Sequence, residues 1–327
     1  MKQSLSNYQC PDCQADLYYN DLGKVSCRGA DECSFDVKDD VIFFEKQKNN
    51  YNDYSISAAA EVHDNSLDWL LKTHNTTEDE FRQDILHLLK LEAGQKILVT
   101  GVGAGNDLPY ICEAIGENGE IFAQDIAEPM LLAAVDRSQN KFKLQKYKIN
   151  FSLSDAVKLP YKDETFDVVY HFGGINLYSD LKKGIEEMDR VTKNKGRVVF
   201  GDEGLADWLA NTEIGKMLAV NNPLYSYKPP LSALPETARA VQLNWTINNC
   251  YYLISFNSFK APLDINLDLK HKGKRGGTIR SRFYGVLEGI DPKLKEELYR
   301  QAEAQGLSRA DFIERLLEGG LKEVKEK

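Results

Sequence analysis

Between Lys96 and Glu203 the chain alternates short apolar runs with longer segments of helical pattern. The apolar runs are rich in β-branched and aromatic residues, and the segments between them have the apolar spacing of helices. This alternation predicts βαβ units and a parallel sheet covered on both faces. The predicted strands are KILVTG, EIFAQD, FSLSD, FDVVYHFG and GRVVFGDE, and the predicted helices between them include LPYICEAIG, PMLLAAVDRS and LKKGIEEMDRVT.

Two further patterns flank this region. Thr77 and Glu80 have the spacing of a capping box, which predicts a helix from Glu78 to Lys90. After an irregular stretch, AVQLNWTI and CYYLISF are joined by a pair of asparagines, which predicts an antiparallel hairpin at the sheet edge. We therefore expect an α/β fold with a mostly parallel sheet and an antiparallel last hairpin.

The first predicted strand ends in a glycine-rich loop, TGVGAGND, that leads into a helix. Gly101, Gly103 and Gly105 leave bare backbone for a ligand, and N–H groups at the start of a helix can hold an anion. The loop therefore predicts a cradle for a nucleotide-like cofactor. The pattern alone is not decisive, because dinucleotide-binding enzymes share it and glycines also form ordinary tight turns.

Two aspartates at the ends of the next strands narrow the choice of cofactor. Asp125 lies about 20 residues after the loop, where a carboxylate can accept both ribose hydroxyls of an adenosine. The alternative for Asp125 is a plain helix cap before Ile126. Asp155 follows the third strand, where it can accept from an adenine amine or be a solvated turn residue.

In this order and spacing, the segments from about Lys96 to Glu203 resemble the successive motifs of class I S-adenosylmethionine-dependent methyltransferases, particularly the ubiquinone/menaquinone-type branch. The resemblance implies a Rossmann-like sheet and S-adenosylmethionine as the cofactor. It also implies that the three loop glycines pack against the methionine part, that Asp125 holds the ribose and that Asp155 with Ala156 frames the adenine. We add Ile126 and His171 to the expected cofactor contacts.

The chain departs from the family pattern near the methionine part of the cofactor. Val99 stands where many members have an acid that meets the methionine amine, so we expect Asp107 or backbone carbonyls to bind this amine. Asn194 replaces a proline that is usual in the turn before the fifth strand, which is expected to affect the turn alone.

A sulfonium is already a strong methyl donor, so the protein mainly aligns a nucleophile and, where needed, removes a proton. The catalytic candidates lie at the carboxyl edge of the sheet, where ligands of such folds bind. They are His171 as a general base, and Asp202 and Glu203 as orienting groups. The alternatives are a structural histidine that bonds a neighbouring loop and a carboxylate that caps the helix near Leu205.

The acceptor is expected to meet Asn176 and an insertion over about residues 204–240. This insertion is too long for a simple connection, and long insertions at the ligand edge usually form lids and substrate walls. Tyr225 and Tyr227 are candidate contacts with the acceptor, whereas Trp208 is expected in the core.

The first segment, residues 1–47, carries four of the six cysteines: Cys10, Cys13, Cys27 and Cys33. Two cysteine knuckles on short hairpins predict a zinc ribbon, with a ribbon that has lost its metal as the alternative. A ribbon before a class I methyltransferase domain resembles the bacterial large-subunit ribosomal RNA guanine methyltransferases, in which the ribbon helps to meet RNA.

The C-terminal segment is expected to contain a basic linker, residues 263–282, and a small module, residues 283–327. The module resembles ribbon-helix-helix proteins, with a strand FYGVLEGI and helices that start at Asp291–Pro292 and near Ser308. The alternate strand positions Gly285, Leu287 and Gly289, or Tyr284, Val286 and Glu288, do not have the character of base readers. We therefore expect homodimerisation in preference to DNA binding, although the basic run argues for nucleic acid.

These expectations combine into one hypothesis and two alternatives. We expect residues 48–262 to be a methyltransferase domain acting on a small molecule. The alternatives are an RNA- or DNA-directed methyltransferase and a cofactor-sensing DNA-binding regulator. The net charge of −9 opposes binding to nucleic-acid backbones. Without an apolar N-terminal stretch or a segment of about 18 apolar residues, a cytoplasmic location without a membrane span is expected.

Overall fold

The computed structural model describes residues 3–29, 33–45, 56, 58–285 and 289–325. The chain divides into two compact units, Met1–Pro262 and Leu263–Lys327. The strands are β1 (Leu17–Tyr19), β2 (Val25–Cys27), β3 (Ser34–Lys38), β4 (Val41–Phe43), β5 (Lys96–Thr100), β6 (Glu120–Asp125), β7 (Lys148–Leu153), β8 (Phe166–Phe172), β9 (Thr192–Glu203), β10 (Ala238–Thr246) and β11 (Tyr251–Ser258). The helices are α1 (Ala59–Thr73), α2 (Glu78–Leu89), α3 (Leu108–Ile115), α4 (Glu128–Asn140), α5 (Leu181–Val191), α6 (Asp207–Ala210), α7 (Glu213–Asn221), α8 (Ile279–Tyr284), α9 (Pro292–Ala304) and α10 (Arg309–Lys325).

Within the described residues, the strands all belong to one sheet of the first unit, in the order β1-β2-β3-β4-β7-β6-β5-β8-β9-β11-β10. Neighbouring strands in the part β4-β7-β6-β5-β8-β9 pair in parallel. At the far edge, β11 pairs antiparallel with β9, and β10 pairs antiparallel with β11. The predicted α/β sheet with an antiparallel last hairpin is therefore confirmed. Because β5, β6, β7, β8 and β9 run in one direction, their carboxyl ends share one edge, which carries the candidate site.

The sheet is covered on both faces because alternate side chains of a strand point to opposite sides. In β5, Ile97 and Val99 pack in a cluster with α2, α3 and α4, whereas Leu98 packs on the other side with α5 and the N-terminal strands. Local signals define the helix ends as expected. Thr77 and Glu80 form the predicted capping box of α2, and Gly116 ends α3.

The N-terminal strands join the large sheet directly. Ile42 and Phe43 of β4 pair in parallel with β7, and Tyr8 forms a bridge with Tyr161. The Tyr8 ring lies 5.0 Å from that of Tyr161 and 5.6 Å from that of Phe122 in β6. The segment expected as a separate small domain, residues 1–47, thus shares its sheet and core with the methyltransferase-like part, because main-chain pairing and buried rings cross the boundary.

The second unit differs from its prediction in two respects. Residues 263–282, expected as a separate linker, belong to this compact unit, and three of their basic side chains are ion-paired within it: Lys270 with Asp311, Lys274 with Glu303, and Arg280 with Asp268. Tyr284, expected in a strand, ends helix α8. Residues 286–288 of that predicted strand lie outside the described residues.

The two predicted helices of this unit are present as α9 and α10. Asp291 accepts the Lys293 N–H at the start of α9, with Pro292 as its first residue. Ser308 accepts the Asp311 N–H at the start of α10. No helix within the described ranges has the length and apolar character needed to cross a bilayer.

Removal of the Tyr8 ring tests whether the N-terminal strands and the large sheet form one cooperative unit. Tyr8 is fully buried, so Tyr8→Ala is expected to lower the free energy of unfolding by about 3–5 kcal/mol in urea titrations. Tyr18→Ala, at an exposed position of β1, is the control and is expected to cost less than about 1 kcal/mol. Equal effects of the two substitutions would contradict the shared core.

Candidate functional site

The glycine loop leaves β5 through three residues with positive φ angles: 63° at Gly101, 55° at Gly103 and 81° at Gly105. Residues other than glycine rarely adopt this backbone conformation. The loop leads into α3, whose first N–H groups have no partner within the helix. The structure therefore has the predicted glycine turn at the carboxyl edge, with Gly101 and Gly103 partly buried and Gly105 buried.

Asp125, at the end of β6, is bonded to the glycine loop. Its Oδ2 accepts the Gly103 N–H at 2.7 Å, and its Oδ1 accepts the Ala127 N–H before α4 at 2.8 Å. Burial raises the pKa of Asp125, while these N–H groups lower it. The carboxylate therefore fixes the loop and also bonds the backbone before α4, which is the alternative considered from the sequence. Contact with a ribose stays a prediction.

Asp107, predicted near the methionine amine, lies in a buried ion pair. It pairs with Arg82 of α2, and its Oδ2 accepts the Tyr170 hydroxyl at 3.1 Å. Arg82 is 5% exposed and also pairs with Glu78. Both Asp107 oxygens thus have protein partners, which favours the other expected option, binding of the amine by backbone carbonyls around Val99.

Helix α1 covers the glycine loop through contacts that the sequence did not indicate. Asp64 of α1 accepts from Asn106 at 3.0 Å and pairs with Arg137 of α4 at 2.9 Å. Ala59 packs with Ala104 in the same place. The placement of a polar residue directly after the glycines is the sequence signal that could have suggested this contact.

The predicted adenine side lies in the loop after β7. Asp155 accepts the Val157 N–H at 3.0 Å, and Ala156 is buried, whereas Ile126 is largely exposed. The N-terminal segment holds this loop through two ion pairs, Lys158 with Asp12 and Lys162 with Asp16. The structure thus brings the predicted cofactor residues to one edge, and their contacts with a cofactor stay predictions.

His171, near the end of β8, is buried and hydrogen-bonded to the chain. Its Nδ1 lies 2.8 Å from the Thr100 carbonyl oxygen and 3.0 Å from the Tyr178 hydroxyl. Burial lowers the pKa of His171 to about 4. The ring is 1% exposed and its Nδ1 is committed to Thr100, and a role of His171 as general base stays a prediction. The structural alternative describes the observed contacts.

Tyr178 was not identified from the sequence. Burial raises the pKa of Tyr178, a hydrogen bond with the Thr100 side chain lowers it, and the charges of Asp125, Asp155 and Asp202 raise it. Tyr178 follows a short 3-10 turn, Ile175–Leu177, that has no recognisable motif. A lone tyrosine in a loop gives no signal in one sequence.

The candidate acids at the end of β9 have different environments. Asp202 is fully buried and accepts the N–H groups of Asn176 and Glu203 at 2.7 and 2.8 Å. Burial raises the pKa of Asp202 well above its usual range, and Glu203 raises it further. Glu203 is partly exposed and accepts the Tyr251 hydroxyl at 3.2 Å. Asn176 donates to the Glu203 carbonyl at 2.9 Å.

The insertion after β9 contains α6 and α7, and one of its aromatic residues differs from prediction. Trp208, expected in the core, is 63% exposed and contacts the Trp245 ring. Tyr225 is buried against Tyr251, and its contact with an acceptor stays a prediction. Tyr227 is half-exposed, and its contact with an acceptor stays a prediction.

The four N-terminal cysteines lie together. The sulfur atoms of Cys10, Cys13, Cys27 and Cys33 are all within 4.8 Å of one another. A tetrahedral zinc ion with Zn–S bonds of about 2.3 Å holds its sulfurs about 3.8 Å apart, so the cluster has the right size. Gly29 provides bare backbone here, because a Cβ atom would lie 2.6 Å from the Cys13 sulfur. The donor set fits a zinc ion.

Comparisons with known proteins agree with this geometry. The model of the ubiE/COQ5 methyltransferase family matches residues 67–203. Residues 67–203, less than half of the chain, are thus similar to the methyltransferases of this family. Phosphoethanolamine N-methyltransferase 2 of Haemonchus contortus, solved with S-adenosyl-L-methionine, has the same fold at 12% identity and a TM-score of 0.50, over 64% of this chain and 59% of that chain.

Two relatives show how far the sequence similarity extends. The demethylmenaquinone methyltransferase of Alkalihalophilus pseudofirmus is 33% identical over 120 residues, which are 36% of this chain and 49% of that protein. The Bacteroides fragilis protein of the same name is 26% identical over 189 residues, which are 54% of this chain and 74% of that protein. The chain thus spans about half the length of the former relative and three quarters of the latter.

The Arg82–Asp107 pair generates a prediction about stability. Arg82→Met leaves a largely buried carboxylate without its cation and is expected to lower the free energy of unfolding by about 3 kcal/mol. Lys72→Met removes an exposed ion pair with Asp68 and is expected to cost less than about 0.5 kcal/mol. Urea denaturation measures both, and an effect of Arg82→Met as small as that of Lys72→Met would contradict the buried pair.

Proposed function

We propose that the whole protein transfers a methyl group from S-adenosylmethionine to a small aromatic acceptor of quinol or phenol type. The observation that carries this proposal is the bond between the Asp125 carboxylate and Gly103 N–H, in a glycine loop with three positive φ angles. This geometry lies within the region that matches the ubiE/COQ5 family. The names of the relatives, demethylmenaquinone methyltransferases, support a quinol-type acceptor.

When bound, S-adenosylmethionine supplies a methyl group on a positively charged sulfur for in-line attack. The chain provides the surroundings for this step. The glycine loop offers main-chain contacts to the methionine part, Asp125 offers its remaining lone pairs to the ribose, and Asp155 and Ala156 border the adenine. These contacts would align the donor with the acceptor, which makes the attack effectively unimolecular. We expect this alignment to account for most of the rate enhancement.

The acids at the end of β9 are proposed to act on the acceptor side. Asp202 holds the backbone of Asn176 and Glu203, so it orders the loop that meets the acceptor. Glu203 is the more accessible carboxylate and is proposed to accept a proton from an acceptor hydroxyl. His171, the other candidate base, is proposed to act through structure, since its ring is buried.

Surface character supports a small apolar acceptor over nucleic acid. Trp208, Leu177 and Tyr227 expose apolar surface on the insertion and near the carboxyl edge. The net charge is −9, and several basic residues of the second unit are paired with its own acids. These observations disfavour the RNA- or DNA-directed enzyme and the DNA-binding regulator, which both need free cations for phosphates.

The two ends are proposed to serve structure and assembly. The four cysteines are proposed to hold zinc, which would fix the segment that clasps the loop after Asp155. The second unit is proposed to form a homodimer, since α9 and α10 expose apolar side chains that a second copy could cover. These side chains are Leu294, Leu316, Leu317, Leu321 and Val324. The cytoplasmic location stays a prediction.

The acceptor class is tested by incubating the purified chain with methyl-labelled S-adenosylmethionine and either a hydroxynaphthalene quinol or total RNA. We expect label in the quinol, and Asp125→Ala is expected to reduce its labelling more than tenfold. Asp136→Asn, at an exposed position of α4, is the control and is expected to leave labelling unchanged. Labelled RNA without labelled quinol would contradict the proposed acceptor.

The zinc proposal is tested by elemental analysis of protein prepared without chelator. We expect one zinc ion per chain in the parent protein. The control is Cys112→Ala, because Cys112 lies in α3 and does not belong to the cysteine cluster, and it is also expected to hold one zinc ion. Cys13→Ser is expected to reduce zinc content strongly, and chelation of the parent is expected to lower its melting temperature. Metal-free parent protein would rule out the zinc ribbon.

A further inference from the structure

Two rings, His171 and Tyr178, connect the glycine loop to helix α5. The rings meet edge to face, with centroids 5.2 Å apart and an interplanar angle of 72°. The Tyr178 hydroxyl oxygen lies 3.0 Å from His171 Nδ1. His171 belongs to β8, and Tyr178 follows the 3-10 turn at the carboxyl edge. The pair therefore lies where β8 ends, beside the proposed donor site.

Each ring lies against a glycine at its outer side. At Gly101 a Cβ atom would lie 2.9 Å from His171 Cε1 and 3.1 Å from His171 Nδ1. At Gly184 in α5, a Cβ atom would lie 2.7 Å from Tyr178 Cε2. Carbon atoms do not approach so closely without displacement, so both rings occupy space that only glycine leaves open. The contacts therefore leave no space for a Cβ atom at either end of the row formed by Gly101, His171, Tyr178 and Gly184.

The hydrogen bonds fix the orientation of the histidine. The Thr100 carbonyl oxygen can only accept, and it lies 2.8 Å from Nδ1, so Nδ1 carries the ring proton. The Tyr178 hydroxyl shares this N–H at 3.0 Å. Nε2 is buried and makes no hydrogen bond within the described part of the chain. The imidazole is thus held from its Nδ1 side, by Thr100 and Tyr178.

We propose that Tyr178 is a positioning residue of the donor site, which holds the His171 ring under Gly101 and so fixes the backbone where the loop leaves β5. Gly184 is complementary to Tyr178, because a Cβ atom at position 184 would occupy the space of the tyrosine ring. A loop fixed in its binding conformation loses less entropy when it binds a ligand. The expected effect on donor affinity rests on the proposed function, because it requires that the protein binds S-adenosylmethionine. The tautomer of His171 can be measured without any donor.

Two variants of the full chain test the proposal. Tyr178→Phe keeps the ring and removes the hydroxyl, and Gly184→Ala displaces the ring from α5. The controls are Tyr284→Phe, at an exposed tyrosine, and Gly319→Ala, at a helical glycine with open space around its Cα. Calorimetric titration measures the affinity for S-adenosylmethionine, and melting temperatures report folding. Nitrogen NMR of the five histidines reports the tautomer of His171, whose signals are assigned by comparison with His171→Asn.

We expect Tyr178→Phe and Gly184→Ala to weaken donor binding about tenfold and to change the His171 nitrogen signals, while both controls match the parent. A melting temperature of Tyr178→Phe close to the parent value excludes general unfolding as the cause. Unchanged affinity or unchanged His171 signals in Tyr178→Phe would overturn the proposal.

Failure of the proposed function gives a different result. If the parent protein does not bind S-adenosylmethionine, the donor assignment is wrong, whatever the variants do. The NMR comparison then still decides whether Tyr178 controls the state of His171. If the parent binds the donor and Tyr178→Phe binds it equally well, the positioning role is wrong and the proposed function stands.

Discussion

Parallel pairing of β5 with β6 and β8 is the constraint on which the rest of the structure depends. It places Thr100, Asp125 and His171 at one edge of the sheet, although they are far apart in the chain. The strands themselves are buried on both faces and have few polar side chains. Chemistry is therefore confined to the loops at this edge, where backbone groups and carboxylates can meet a ligand.

The acids at this edge share a physical role. Asp125 accepts the N–H of Gly103, Asp155 accepts that of Val157, and Asp202 accepts that of Asn176. A carboxylate bonded to the backbone of the next loop fixes that loop, and it keeps lone pairs for a ligand. Structural capping and ligand binding are thus compatible at one residue, although the sequence presents them as alternatives.

The sequence predicted features that are determined by nearby residues. The five central strands, the capping box at Thr77 and the helix end at Gly116 depend on local periodicity and turn chemistry, and they were correct. The glycine loop and the cysteine cluster were also found, since each has a motif with a physical reason.

Features that depend on distant partners were missed or wrong. The pairing of β4 with β7, the Arg82–Asp107 pair and the Tyr178 contact with His171 have no local signal. The basic run was assigned to a linker because its acidic partners lie up to 41 positions away in the chain. Trp208 was placed in the core by its apolar character, whereas the insertion leaves it exposed.

The most direct test of the account is a crystal structure of the full chain with S-adenosylhomocysteine, the demethylated donor. We expect its ribose within hydrogen-bond distance of Asp125, its amino acid part along Gly101 to Gly105 and its adenine beside Asp155 and Ala156. The account would be contradicted if the ligand were bound elsewhere, or if the chain's own side chains filled the crevice at the glycine loop in the presence of saturating ligand.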